Sequence, residues 1–209
     1  MRRMALEVVL VDCGSRKVPE LARLLEQQGA LCSLVGLDGA NGAELPPCDA
    51  LVISGGPHLF SSEPDLAERF AFLDALDVPM LGICLGHQAI GVRRGASVFL
   101  GEARRGPERV EIIAEHPLLE GLGSSTTLAA DHCEGISLPP GFVQLGRSTH
   151  YPIEIMASQQ APVFGVQCHP EISGHAGAQL LANFLAIATA RQDLRAEAAP
   201  GRRAAARST

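Results

Sequence analysis

The chain has 209 residues and a formal net charge of −6, with 46% hydrophobic but only 4% aromatic residues. That length and apolar content predict one ordinary domain, or at most two small ones, packed around an aliphatic core rather than a disordered chain. Nothing in the scattered basic residues points to nucleic acid, no apolar run approaches membrane length, and six irregularly spaced cysteines without a C-x-x-C pair argue against a disulfide framework.

The apolar run after Met1-Arg2-Arg3-Met4 is too short and interrupted for a signal segment, so a soluble cytoplasmic protein is expected. Residues 6–12 are mostly apolar and read as a strand buried on both faces. A turn at Gly14-Ser15 leads to a helix over 19–28, with Leu21, Leu24 and Leu25 at helical spacing. A second strand follows at 31–35, then a loop over 36–47 rich in Gly, Asn and Pro. The third strand, 49–53, ends in Ser54-Gly55-Gly56-Pro57. A helix over 64–76 aligns Leu66, Phe70 and Leu73, and a fourth strand at 80–83 runs into a helix that begins near Gln88. This alternation predicts an α/β fold with a mostly parallel sheet and helices on both faces. Ligands of such sheets sit at the carboxyl ends of the strands. The second half reads as shorter, more antiparallel strands at 96–100, 108–113, 126–130, 142–147 and 153–157, then a buried strand at 163–167. A last amphipathic helix spans 176–190, with Leu180, Leu181, Phe184 and Ile187 inward. The folded domain is therefore expected to cover 1–191. Residues 192–209, rich in Ala and Arg, read as a frayed helix end and a disordered tail.

Three motifs fall at strand ends. Gly82-Ile83-Cys84-Leu85-Gly86 has the spacing of a nucleophile elbow, with sulfur in place of the usual oxygen. Its glycines allow a sharp strand-to-helix turn, the helix N-terminus suits a thiolate, and the Leu85 N–H can point at a developing oxyanion. Cys168-His169-Pro170-Glu171 offers an imidazole that can move a proton and a carboxylate that can orient it. In Ser54-Gly55-Gly56-Pro57 the glycine pair lets backbone approach a ligand and aim an N–H inward. Each has an ordinary structural reading: a core cysteine, a satisfied strand-end histidine, a Gly-Pro turn. Together they form one mechanism at the mouth of one sheet.

These motifs, with His87-Gln88 after the elbow and Val166-Gln167 before the histidine, resemble the class I (triad) glutamine amidotransferase family to about Ala190. The resemblance implies a flavodoxin-like parallel sheet with a small antiparallel part. It implies hydrolysis of L-glutamine to glutamate and ammonia, with Cys84 as nucleophile, His169 as base and Glu171 as its partner. Gly56 and Leu85 match the oxyanion amides, and Gly55, Gln88, Cys133 and Glu134 fall at positions of the glutamine site. Within the family, Asp131-His132-Cys133-Glu134-Gly135-Ile136 and Tyr151-Pro152-Ile153-Glu154-Ile155-Met156 are most similar to the glutaminase part of GMP synthases. Those usually carry Asp at the position of Glu134, Phe at that of Cys168, and Arg-Glu-Tyr-Gly where Ala103-Arg104-Arg105-Gly106 stands. The departures bear on the amination acceptor and leave the triad intact.

No cofactor or metal is required for this half-reaction. The sequence has no Gly-rich P-loop, so an ATP-dependent synthase subunit on a separate chain, of the GMP synthase ATP-pyrophosphatase kind, is the implied partner. Alternatives remain open at this point. They are a glutaminase for another acceptor in a specialised or anthranilate-type pathway, a thiol hydrolase of γ-glutamyl bonds, an idle regulatory module, and a metal site built from Cys84, His87, His132 and Cys133.

Overall fold

A computed structural model describes residues 5–42 and 45–198. Its strands form a single nine-stranded sheet. In chain order the elements are β1 (Leu6–Asp12), α1 (Val18–Gln27), β2 (Ala30–Gly36), α2 (Leu37–Gly42), β3 (Ala50–Ile53), β4 (Met80–Ile83), α3 (Leu85–Arg93), β5 (Val98–Ile112), β6 (Ser125–Ile136), β7 (Phe142–Arg147), β8 (Ile155–Ser158), β9 (Val163–Val166) and α4 (Gly174–Ala198). Across the sheet the order is β2-β1-β3-β4-β9-β8-β7-β5-β6. The pairs from β2 to β9 are parallel, and those from β9 to β6 are antiparallel. The antiparallel part is thus a continuation of the parallel sheet, and β9 is the strand where the two meet.

The parallel strands read as apolar runs because both their faces are covered. On one face α1 and α4 bring Leu21, Leu25, Leu180, Leu181 and Phe184 against Leu10, Val52 and Leu81. On the other, Leu37, Leu66, Phe70, Leu73, Ala89 and Ile90 cover Val9, Val11, Leu51 and Ile53. Each fully buried Leu or Phe contributes about 1.5–3 kcal/mol, so these two layers hold the strand ends in place.

The structure departs from the sequence reading in four places. Residues 37–42, expected to lie in a loop, form the short helix α2. Gly and Asn are poor helix formers, but Leu37 and Ala40 are buried here, and packing overrides propensity. The segment Leu66–Asp74 is wound as a 3-10 helix with a kink at Phe70, not as an α-helix, although Leu66, Phe70 and Leu73 are buried as the spacing predicts. The two strands expected at 96–100 and 108–113 are one long strand, β5, whose pairing with β6 slips between Leu100 and Arg104. Gly101 falls at that irregularity, whereas Gly106 and Pro107 stay in register opposite Ala130 and Ala129, so the strand is not broken. Finally, α4 continues through Ala198, beyond the boundary expected at residue 191. Gln192 Nε2 donates to Asp49 Oδ2 at 2.7 Å and Arg195 pairs with Asp77 Oδ2 at 2.9 Å, so this stretch is docked. The remainder of the expected tail, 199–209, lies outside the described residues.

Candidate active site

The turn from β4 into α3 is built by close approach. A Cβ on Gly82 would stand 2.4 Å from the Gly86 carbonyl oxygen, and one on Gly86 would stand 2.4 Å from that of Ile53. No side chain fits either position, which is the physical content of the G-x-C-x-G spacing. Between them Cys84 has φ +50° and ψ −104° and caps the N-terminus of α3. It is the single non-glycine residue with positive φ among the described residues. Such a conformation costs on the order of 1–3 kcal/mol and persists only where its surroundings enforce it. Here the enforcing bonds are Cys84 N–H to Val166 O at 2.8 Å and Gln88 N–H to Cys84 O at 3.0 Å.

His169 follows β9, the neighbour of β4 in the sheet. Its N–H donates to Ala129 O at 2.8 Å, and its carbonyl accepts from Ser173 Oγ at 2.7 Å. Pro170 opens a single 3-10 turn that places Glu171 behind the ring. Nδ1 lies 2.7 Å from Glu171 Oε1, and both side chains are buried. A carboxylate only accepts, so Nδ1 carries the proton and Nε2 is left for the sulfur. Burial by itself would lower the His169 pKa. Hydrogen bonds and charge from Cys84 and Glu171 outweigh it and raise the pKa to about 9. At neutral pH the favoured form is therefore an imidazolium held between a carboxylate and the Cys84 side chain, a group able to deliver a proton.

Cys84 and His169 open on a cavity of about 360 Å³. Its wall includes Gly56, Leu85, Gln88, Cys133 and Glu134. Leu85 is the first residue of α3, where a backbone N–H has no partner within the helix. Gly55 backs these two side chains: a Cβ there would meet His169 Cε1 at 2.8 Å and Cys84 Cβ at 3.4 Å. A Cβ on Gly56 would lie 2.2 Å from Cys13 O. The glycine pair thus lets this turn press directly against the elbow. Gln88 is buried, and its Nε2 donates to Glu134 O at 3.1 Å and to Gln167 Oε1 at 3.3 Å. Glu134, expected at the glutamine site, stands on the cavity wall. Its carboxylate accepts from Phe60 N–H at 3.0 Å and Ser61 N–H at 2.8 Å, and so anchors the loop that carries Pro57, His58 and Leu59 on the cavity wall.

The pairing of several wall groups had no signal in the sequence. Lys17 Nζ pairs with Asp131 Oδ2 at 2.7 Å, and Arg105 Nε lies 3.8 Å from Asp131 Oδ1. Lys17 holds the Asp131 carboxyl below its usual range. These partners come from the start of α1, from β5 and from β6, so no local motif could announce them. His132, also on the wall, is pushed down to about 4 by burial and stays neutral, its ring edge against Tyr151. The four side chains Cys84, His87, His132 and Cys133 do not converge: no group of three or more metal-ligating side chains is found among the described residues. The His87 ring is fully buried beneath Gly165, with its pKa lowered to about 3 by that burial.

Known proteins with related sequences and folds point to one family. The family profile described as "Glutamine amidotransferase class-I" matches residues 9–188. A subunit of the glutamine-hydrolyzing GMP synthase of Methanosarcina mazei is 42% identical over 146 residues, 66% of this chain and 73% of that protein. The same subunit from Pyrococcus furiosus is 32% identical over 188 residues, 86% of this chain and 97% of that one. A crystal structure from Thermoplasma acidophilum, provisionally assigned as a GMP synthase subunit, superposes with a TM-score of 0.85 at 27% identity, covering 92% of this chain and 98% of its own. No described helix is long and apolar enough to cross a membrane.

Proposed function

The chain belongs to the class-I glutamine amidotransferase family, and from that premise we propose that it is the glutaminase subunit of a two-chain GMP synthase. Cys84 is the nucleophile. Its sulfur attacks the side-chain amide carbon of glutamine, and the N–H groups of Gly56 and Leu85 hold the oxyanion. The His169 imidazolium gives its proton to the departing nitrogen, which leaves as ammonia, and a glutamyl thioester remains. The neutral imidazole then takes a proton from water, the hydroxide attacks the thioester, and glutamate departs with the sulfur restored. Glu171 keeps the ring oriented and balances its charge.

One observation carries this reading: the buried His169, hydrogen-bonded to Glu171 on one side, shares the wall of one cavity with the Cys84 side chain. The cavity volume suits a single amino acid, at the small end of ligand sites. Both amide protons of Gln88 are engaged within the protein, so its oxygen is the group available to the ammonium of bound glutamine. Relatives named as one subunit of a glutamine-hydrolyzing GMP synthase support a separate ATP-dependent chain as the recipient of the ammonia, with XMP as the acceptor. The test is Cys84→Ala in the two-chain complex. Glutamine-dependent GMP formation is lost, while formation from free ammonium persists. Normal glutamine hydrolysis by this variant refutes the assignment, and activity on γ-glutamyl peptides in preference to glutamine supports a hydrolase instead.

A further inference from the structure

Gln167 follows the end of β9, immediately before Cys168-His169, is completely buried, and has no part in the chemistry outlined above. Its Nε2 lies 3.7 Å from Cys84 Sγ, and its Oε1 accepts from Gln88 Nε2 at 3.3 Å. The two ends of an amide look alike, so the direction of this chain of bonds must be fixed by a group that cannot be turned around. The Glu134 main-chain carbonyl is that group. It can only accept, so the Gln88 end facing it at 3.1 Å is nitrogen. That nitrogen also faces Gln167, which must answer with oxygen. Gln167 is thereby obliged to turn its NH2 toward the sulfur.

We propose that Gln167 is a positioning residue whose amide N–H stabilises Cys84 as a thiolate, with its polarity dictated by Gln88 and the Glu134 carbonyl. This rests on Cys84 being the nucleophile. As a thiol, Cys84 has an acceptor in Asp131 O at 3.8 Å. As a thiolate, it has a donor in Gln167 that does not titrate, besides the His169 ring. The ionisable groups around it are His169 with Glu171 behind, Asp131 and His132 on β6, and buried Cys168. Unlike these groups, Gln167 donates at every pH, so it serves the thiolate both before attack and as the sulfur departs from the thioester.

The experiment is alkylation of Cys84 by iodoacetamide from pH 5 to 10, read on the Cys84 peptide by mass spectrometry, in wild type, Gln167→Glu and Gln167→Met. Losing a donor to a charged acceptor raises the midpoint of the rate profile by about one pH unit, tenfold in thiolate below it. The shift is larger for Glu than for Met, and the high-pH plateau stays within about twofold. That midpoint belongs to the Cys84–His169 pair together. A midpoint unchanged in Gln167→Met, whatever Gln167→Glu does, or a plateau that drops without a change in midpoint, overturns the proposal. Gln167→Met adds no buried charge and carries the test if Gln167→Glu does not fold. Glutamine turnover plays no part in the readout, so failure here is separate from failure of the Cys84→Ala test.

Discussion

Replacing Gly55 with alanine would test the site with one methyl group. The new Cβ would stand 2.8 Å from His169 Cε1, against a comfortable carbon–carbon separation of about 3.5 Å. The ring must therefore move by about 0.7 Å. Its far side is tied to Glu171 at 2.7 Å, and Cys84 Cβ stands 3.4 Å from the same methyl, so the ring cannot retreat along its own plane without losing a partner. Displacements of this size at a reacting centre cost about 10- to 100-fold in rate, or roughly 1.4–2.7 kcal/mol of barrier. The overpacking itself costs about 1–3 kcal/mol of stability. Steady-state glutaminase kinetics should give a kcat reduced by about that factor, with KM within about threefold. Gly36→Ala is the control: nothing lies within 4 Å of its Cβ position, and stability should change by no more than about 0.5 kcal/mol. A Gly55→Ala enzyme that turns over at the wild-type rate would refute the claim that His169 is held in a tight seat.

Two other variants probe buried carboxylates. Burial raises the Glu154 pKa from 4.5 to about 7. The folded state therefore keeps a proton that the unfolded chain has released, and stability falls as pH rises from about 4.5 to about 7 and is level above that. Glu154→Gln removes the effect: urea unfolding should find it about 2–3 kcal/mol more stable than wild type at pH 7.5 and nearly equal at pH 4.5. An equal difference at both pH values would contradict the burial account. Glu134→Ala deletes the acceptor of two backbone N–H groups; it should cost about 1.5–3 kcal/mol and raise KM for glutamine more than it lowers kcat. Unaltered KM and melting temperature would mean that the carboxylate does not hold the 58–61 loop.

The parts of this site that lie within a few residues of one another were legible in the sequence. Gly82 to Gly86 announces its turn because the required close approaches are local, and His169 with Glu171 needs only one intervening proline. The parallel sheet was legible because strands buried on both faces are continuous apolar runs. What the sequence withheld depends on distant partners. Lys17 and Asp131 are 114 positions apart, and neither residue type is unusual where it stands. Glu134 reads as an acid near a ligand site until Phe60 and Ser61 are seen to donate to it. Gln167 sits inside a quoted motif, yet its role follows only from which atom of Gln88 faces it. In α2 the composition argues for a loop, and only the burial of Leu37 and Ala40 explains the helix.

The place of β9 in the sheet limits how this chemistry can be switched. Cys84 and His169 are carried by β4 and β9, which are hydrogen-bonded neighbours in register, with Ile83 opposite Val166. They sit in the interior of the sheet, so hinge bending or rotation of one half of the molecule against the other cannot pull sulfur and imidazole apart without tearing main-chain bonds. Any on–off control must enter through the rim instead, where the loop pinned by Glu134 and the salt link between Lys17 and Asp131 lie.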